Sequence, residues 1–314
     1  MGGSAGTNQE LGIGNVFFFH MKSFVRQLSR RARLCLIVVG VYCLAAMWGE
    51  GVYRYYRAVD RTPSYNKVDL RQRNLPPLTK TIDYNRGSST ADDCDRSSFY
   101  LLGTDNLGRS VLQRLTQGAR IAFHVGIGTS LVAVPLGVLL GLLAGYFGRW
   151  VDSLCGAVST VFASIPTVLF ILAVAMIAGE GMLGVYLGIS LTTWVSVFRV
   201  VRAETLKHRE RGYVQAARIL GYGDGRIMFR HILPNVAHVI IVTFSVRFSA
   251  AVSTEVFMSF LGIGIRNEPS WGVMINNARV RLWQGMWWEG AAVTLAVFGL
   301  VLAFNLLSDA LRDA

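Results

Sequence analysis

Two ionisable side chains, Arg247 and Glu255, interrupt a long apolar block of the sequence, Val236–Leu261. Charged groups are costly in hydrocarbon, so within such a block they usually face a protein interior or a water-filled cavity. The two residues are eight positions apart, about 12 Å along a helix, so we do not expect a direct ion pair between them. Both are candidates for a path across a membrane, or for ion pairs with a neighbouring helix or chain.

A short amphipathic pattern with a glycine at its end precedes that block. Gln215–Leu220 reads as a short helix, and Gly221 is well placed to end it in a left-handed conformation. Asp224 can cap a second short helix, Gly225–His231. Pro234 fits the first turn of the next helix, where its missing N–H costs nothing. The pattern predicts two short helices joined by a glycine elbow, which form either a basic surface loop or a docking element for a partner.

Motifs for catalysis and nucleotide binding are absent from the sequence. There is no GxxxxGK[ST] phosphate loop, no GxSxG nucleophile turn and no HExxH pair. Neither the histidines nor the cysteines show metal-ligand spacing, and the cysteines do not form a disulfide pattern. We therefore expect this chain to bind no cofactor or metal and to catalyse no reaction by itself.

The composition shows which elements must position these residues. Of the 314 residues, 52% are hydrophobic and only 16% are charged, whereas soluble domains contain about 25% charged residues. Crossing about 30 Å of hydrocarbon takes about 20 helical residues, and helices are the only plausible form for such apolar blocks. We predict an all-α membrane protein with six transmembrane helices, in the blocks Leu34–Tyr53, Ile121–Tyr146, Ser153–Ile177, Leu183–Val201, Val236–Leu261 and Trp288–Leu307.

The net charge of +12 predicts an orientation rather than a nucleic-acid partner. Basic residues accumulate in cytoplasmic loops, and they are dense both before the first block and between the fourth and fifth. Both segments then lie in the cytoplasm, as do both termini. We expect a multi-pass protein of the bacterial inner (plasma) membrane that contacts lipid and binds no nucleic acid. Residues 54–118 would be external, with irregular structure at the PP stretch (76–77) and at the NRGSST and DDCD stretches, which together cover about 86–95.

Two smaller patterns lie near the second block. Glycines at every fourth position predict a face for close helix packing, at Gly137, Gly141 and Gly145. In the external segment, Asp105 stands ahead of a helical run, Val111–Gln117, and can act as its N-cap. We expect that run to form a separate short helix on the outer membrane surface, which braces the outer gate or receives a binding protein.

Residues 213–235 resemble the EAA motif of ABC-importer permeases, E-A-A-x3-G-x9-I-x-L-P. The matching positions are Gln215, Ala216, Ala217, Gly221, Leu233 and Pro234. Gln215 replaces the usual glutamate, and His231 stands at the isoleucine position. Leu102–Val125, Ser259–Gly264 and Asn305–Asp313 are similar to further landmarks of dipeptide, oligopeptide and nickel permeases. The resemblance covers residues 100–314 and is to the C-type permease subunit.

The resemblance implies an importer built from this chain, a homologous B-type permease, two ATPase subunits that bind ATP and Mg²⁺, and an external substrate-binding protein. Peptides would be the substrate. The cytoplasmic helices would sit in clefts of the ATPase subunits and transmit their closure, through Tyr213, Gln215, Ala216, Ala217, Gly221, Asp224, Leu233 and Pro234. The candidates for the translocation path are Arg247, Glu255 and Thr160. Relatives often carry aspartate at the position of Thr160. The candidates for an external gate or brace are Asp105, Gly108 and Arg109.

The expected layout is a cytoplasmic tail (1–33), a first transmembrane helix (34–53), an external segment (54–118) and a permease core (119–314) that includes the coupling loop 202–235. Two other functions remain open. One is the same architecture importing nickel, an opine or an antimicrobial peptide. The other is a channel or standalone carrier whose loop only resembles the docking motif.

Overall fold

The computed structural model describes residues 30–82, 97–179, 181–265 and 268–313. Most of the tail 1–33, and the stretch 86–95 expected to be irregular, lie outside the described residues. The helices, in chain order, are α1 Arg30–Val59, α2 Val111–Phe147, α3 Arg149–Ser164, α4 Thr167–Ala178, α5 Met182–Arg209, α6 Gly212–Ile219, α7 Asp224–Phe260, α8 Trp271–Arg281 and α9 Trp288–Asp313. Two short strands, β1 Thr79–Ile82 and β2 Ser97–Tyr100, pair antiparallel between α1 and α2, in the segment predicted to be external and here called the outer segment. The fold is therefore helical apart from this hairpin, which the all-α prediction did not include.

Five of these helices, α1, α2, α5, α7 and α9, are individually long and apolar enough to cross a membrane. The remaining predicted span, Ser153–Ile177, which is the third in chain order, is not one helix. It is divided into α3 and α4, which are bent by 88° at Pro166. Proline lacks an N–H and disfavours helical geometry at the preceding residue, and Ile165 is indeed extended. The protein is a multi-pass membrane protein, and its described residues contain five continuous spanning helices and one bent pair.

Helix α2 lies against α5 along the predicted glycine face. A Cβ atom added at Gly137 would lie 2.6 Å from the Val197 Cβ, and one at Gly141 would lie 2.9 Å from the Val201 Cβ. One at Gly145 would meet Thr205. Real Cβ atoms do not approach so closely, so the missing side chains allow the two backbones to pack. The prediction of a helix-packing face is confirmed.

Charged side chains join α1, α2 and the loop before α8. Arg120 on α2 is buried, pairs with Glu268 of that loop, and lies 3.6 Å from the Glu50 carboxylate of α1. The guanidinium also stacks on the Tyr53 ring, 3.7 Å from its centroid. Beside it, the Gln117 amide donates to the Gly49 carbonyl at 2.9 Å. Buried charge is thus neutralised within the chain at this end of the bundle, as burial requires.

The outer segment differs from the prediction at Asp105. Val111–Gln117 is not a separate surface helix, because it forms the first turns of α2, whose N-cap is Ser110. The buried Asp105 carboxylate instead accepts the backbone N–H groups of Leu107 and Arg109, at 2.9 and 2.8 Å. Its other oxygen pairs with the Arg109 guanidinium at 2.7 Å. Asp105 therefore closes the turn before α2 rather than capping a helix.

Gly108 completes the same turn. Its φ of +74° is left-handed, and a side chain there would collide with the backbone carbonyl of Asp69. The turn also carries the Leu107 carbonyl, which accepts the Asp69 N–H at 2.9 Å. These contacts make the residues predicted as a gate or brace part of a packed structural joint.

Replacing Asp105 by alanine should lower the stability of the complex by about 1–3 kcal/mol, because it leaves buried donors unpaired. Asp105→Asn should cost less, since it keeps one acceptor oxygen for the backbone N–H groups. The midpoint of thermal denaturation of the purified complex in detergent measures both effects. Unchanged stability together with a large loss of affinity for the external binding protein would instead identify a docking residue.

Candidate functional site

The segment that resembles the EAA motif forms one short helix and a tight elbow. Helix α6 covers Gly212–Ile219, so it starts earlier than the predicted Gln215–Leu220. Gly221 follows with a φ of +76°. The N–H of Tyr222 donates to the Ala217 carbonyl at 3.1 Å, which is the bonding pattern of a left-handed helix end. The predicted role of Gly221 in ending the helix is confirmed.

The second predicted short helix, Gly225–His231, is not separate. The chain runs as α7 from Asp224 to Phe260, through a π-helical turn at Ile227–Ile232. Pro234 lies just after the π turn, in the first turn of the α-helical stretch Leu233–Phe260, as predicted. Its absent N–H and its ring demand a local departure from α geometry, which the wider turn provides.

Asp224 does not act as a helix cap. The residue before it is the N-cap, and no side chain bonds to the free N–H groups there. The Asp224 carboxylate accepts the Tyr146 hydroxyl at 2.6 Å instead. The Arg218 guanidinium lies over the ring of the same tyrosine, 5.0 Å from its centroid. Tyr146 at the end of α2 thereby holds both sides of the glycine elbow.

The inward face of the segment is apolar. Val214 and Ala217 on α6 pack with Ile227 and Met228 of the π turn against α2 and α5. Ala217 is only 4% exposed. The resemblance implies that Ala217 is one of the residues that couple to the ATPase subunits, but its side chain faces the core of this chain rather than a partner. The adjacent Gln215 and Ala216 are exposed.

Polar contacts fasten α6 to the end of α5. The Tyr213 hydroxyl lies 2.8 Å from His208 Nδ1, and the Gln215 amide donates to the Glu210 carbonyl at 3.3 Å. Partial burial raises the pKa of the Tyr213 phenol, so this hydroxyl keeps its proton at neutral pH. Further along α5, Arg202 pairs with Asp152 of α3, with Nη2 and Oδ2 2.6 Å apart. The segment is thus attached to the end of α5, which is itself joined to α3.

The outward face of the elbow carries large apolar side chains. Ile219 is 86% exposed and Leu220 is 71% exposed, and Phe229 and Tyr222 are partly exposed nearby. Sequence reasoning missed these four residues. The available signal was two apolar residues directly before the glycine, at a point where a polar helix end is usual. Such an exposed apolar group, here called the apolar tip, is typical of a protein-docking surface.

The three candidates for the translocation path have different environments. Glu255 is buried and accepts the Ser259 hydroxyl at 2.7 Å. Thr160 on α3 is exposed, and its hydroxyl bonds to the Gly156 carbonyl of its own helix at 2.9 Å. Arg247 is half-buried on α7. Among the described residues, no hydrogen bond or ion pair joins any two of these three.

The sequence matches the family described as "Binding-protein-dependent transport system inner membrane component" over residues 137–314. Among its relatives is the glutathione transport system permease protein GsiD of Pectobacterium atrosepticum, 39% identical over 221 residues that cover 69% of this chain and 72% of that protein. The dipeptide transport system permease protein DppC of Bacillus subtilis is 34% identical over 76% of this chain and 75% of its own length.

A solved structure shows the same fold. It is an inward-facing conformation of the MetNI methionine ABC transporter, matched over 65% of this chain and 95% of that chain with a TM-score of 0.51 and 17% identity. The family match covers more than half of the sequence, and the first relative exceeds 30% identity over most of its length. The chain therefore belongs to the family of binding-protein-dependent inner membrane permeases, whose members are non-catalytic membrane subunits of ABC transporters and work with another permease and with ATPase subunits.

Proposed function

We propose that this chain is the C-type permease of an ATP-driven importer of di- and oligopeptides. It forms the translocation path with a homologous B-type permease. Two ATPase subunits bind ATP and Mg²⁺, while this chain binds no cofactor. An external substrate-binding protein delivers the peptide. The chain lies in the bacterial inner membrane with both termini and the segment 202–235 in the cytoplasm, and with residues 54–118 outside.

The observation that carries this proposal is the construction of the elbow around Gly221. Its apolar tip is exposed, as a docking element must be, while its inner face and Tyr146 attach it to the membrane helices. A rigid attachment matters because an ATPase can move the transmembrane helices only through an element that does not deform. ATP binding would then favour one of two packings of those helices.

The substrate class rests on the relatives. Of the two relatives named above, one is a permease for glutathione, which is a tripeptide, and the other is a permease for dipeptides. A third relative, the oligopeptide permease OppC of Bacillus subtilis, is 28% identical over 76% of this chain. The alternative substrates are nickel, an opine or an antimicrobial peptide. A channel or standalone carrier is the alternative from another class, and the exposed apolar tip favours a docked subunit over it.

Reconstitution of the assembled complex into proteoliposomes tests the proposal. We expect uptake of a labelled dipeptide to require both ATP on the side of the apolar tip and the external binding protein. The chain alone should transport nothing. Dipeptide flux through the purified chain without ATP would support a channel or carrier, and uptake of Ni²⁺ without peptide uptake would identify the alternative substrate.

Replacing Gln215 by glutamate should be tolerated, and assembly with the ATPase subunits should be equal or tighter. Gln215 is exposed on α6, so a carboxylate there stays solvated and restores the acceptor that relatives carry. A charge-assisted hydrogen bond is about twice as strong as a neutral one. Co-purification of the ATPase subunits at increasing salt measures the change. Loss of ATPase binding in this variant would mean that the partner cleft requires a neutral side chain.

A further inference from the structure

Arg247 differs from the buried arginines that the structure describes. Arg114, Arg120 and Arg281 each form an ion pair with a carboxylate of the same chain. Arg247 lies near the middle of the membrane-crossing part of α7, and its Nε is buried. Within the described parts of the chain, that atom has no hydrogen-bond acceptor and the guanidinium has no acidic partner. A cation so placed is costly unless something outside the chain compensates it.

The surroundings of Arg247 indicate where that compensation comes from. One face of α7 packs on α9 through Phe248 and Val252. The opposite face is uncovered and carries Val246, Ala250 and Ser253. Arg247 lies at the edge of this uncovered strip, since Ala250, three positions along the helix, is exposed, whereas Ala251, four positions along, is buried. The small side chain of Ala250 leaves room beside the guanidinium.

Lipid cannot be the neighbour of this strip at Arg247, because a guanidinium exposed to hydrocarbon is strongly unfavourable. The strip must therefore face water or protein within the assembly. Glu255 does not provide the counter-charge, since it is turned into the core and bonded to Ser259. As far as the described residues show, the donors of Arg247 are thus free for a group that arrives from outside the chain.

We propose that Arg247 is a substrate contact that receives the terminal carboxylate of the peptide during its passage. This inference rests on the proposed function, because it assumes that peptides cross beside α7. A guanidinium is planar and matches a carboxylate with two parallel hydrogen bonds, and it keeps its charge in a poorly hydrated site. Every peptide with a free C-terminus has this group whatever its side chains, so one arginine serves the whole substrate class.

The test uses the assembled complex in proteoliposomes with matched peptides that carry either a free C-terminal carboxylate or an amide. The two peptides of each pair are chosen to bind the isolated binding protein with equal affinity. Uptake is measured with a saturating concentration of the peptide-loaded binding protein. Arg247→Gln should lower the maximal uptake of the free-carboxylate peptide by about tenfold or more, the size expected from losing a hydrogen bond to a charged group. Uptake of the amide should change little, and Arg247→Lys should keep part of the carboxylate preference.

Ser253→Ala is the matched control, because it alters the same strip without removing charge and should affect both peptides equally. Equal losses for both peptides in Arg247→Gln, or loss of the partner permease from the purified complex, would overturn the inference and identify a structural ion pair with the partner. Unchanged uptake of both would overturn it as well. A wild-type complex that imports neither peptide would contradict the proposed function instead, so the two failures are distinguishable.

Discussion

Replacing Ile219 by aspartate is expected to abolish ATP-driven uptake while the chain still inserts and pairs with its partner permease. Ile219 is 86% exposed, so its side chain contributes little to the folding of this chain. In the assembled transporter we place it in an apolar cleft of the ATPase subunit. Burying an unpaired carboxylate there costs several kcal/mol, enough to lower docking by about a hundredfold or more. Co-purification of the ATPase subunits and binding-protein-stimulated ATP hydrolysis measure the loss.

Ile219→Leu is the matched control, since it keeps the volume and the apolar character and should retain nearly full coupling. The partner permease should remain bound in both variants, because neither substitution alters a membrane-spanning helix. Normal stimulated hydrolysis by the aspartate variant would show that the apolar tip does not enter the ATPase cleft, and the proposed coupling role of the elbow would then be wrong.

The transmembrane architecture was largely predictable because the hydrocarbon thickness imposes one strong pattern on the sequence. The apolar blocks of the sequence located the five continuous spanning helices, although these helices extend well beyond the blocks. Helix α2, for example, begins at Val111 rather than near Ile121. A hydropathy pattern marks where a chain is apolar, not where its hydrogen-bonded helix ends. The bend at Pro166 was also missed, because a proline inside an apolar block is compatible with either a kink or a break.

The site was less predictable because burial on a short helix depends on its tertiary partners. Gly221 was correctly interpreted, since the left-handed conformation it adopts is a local property of glycine. Ala217 and Asp224 were not. Ala217 is buried against α2 and α5, and Asp224 bonds to Tyr146, which lies 78 positions before it. No local pattern records such contacts.

The turn at Asp105 shows the same limit for capping. Aspartate is a favoured N-cap residue, so Asp105 ahead of a helical run is a reasonable candidate. Ser110, however, directly precedes the first helical residue and is the N-cap. The carboxylate then bonds within its own turn and to Arg109. Several residues upstream of a helix can cap it, and only the backbone path decides between them.

Gly221→Val should reduce coupled transport strongly, and Gly221→Asn should not. Space is not the constraint within the chain, since a Cβ at Gly221 would meet nothing within 4 Å. The constraint is its φ of +76°, where a branched side chain costs about 1–2 kcal/mol or more and asparagine is tolerated. Valine would therefore unwind the elbow and turn the apolar tip away from the ATPase cleft. Stimulated ATP hydrolysis by the reconstituted complex distinguishes the variants. If asparagine is as damaging as valine, the glycine is needed because the partner's backbone approaches it closely, and the conformational explanation is wrong.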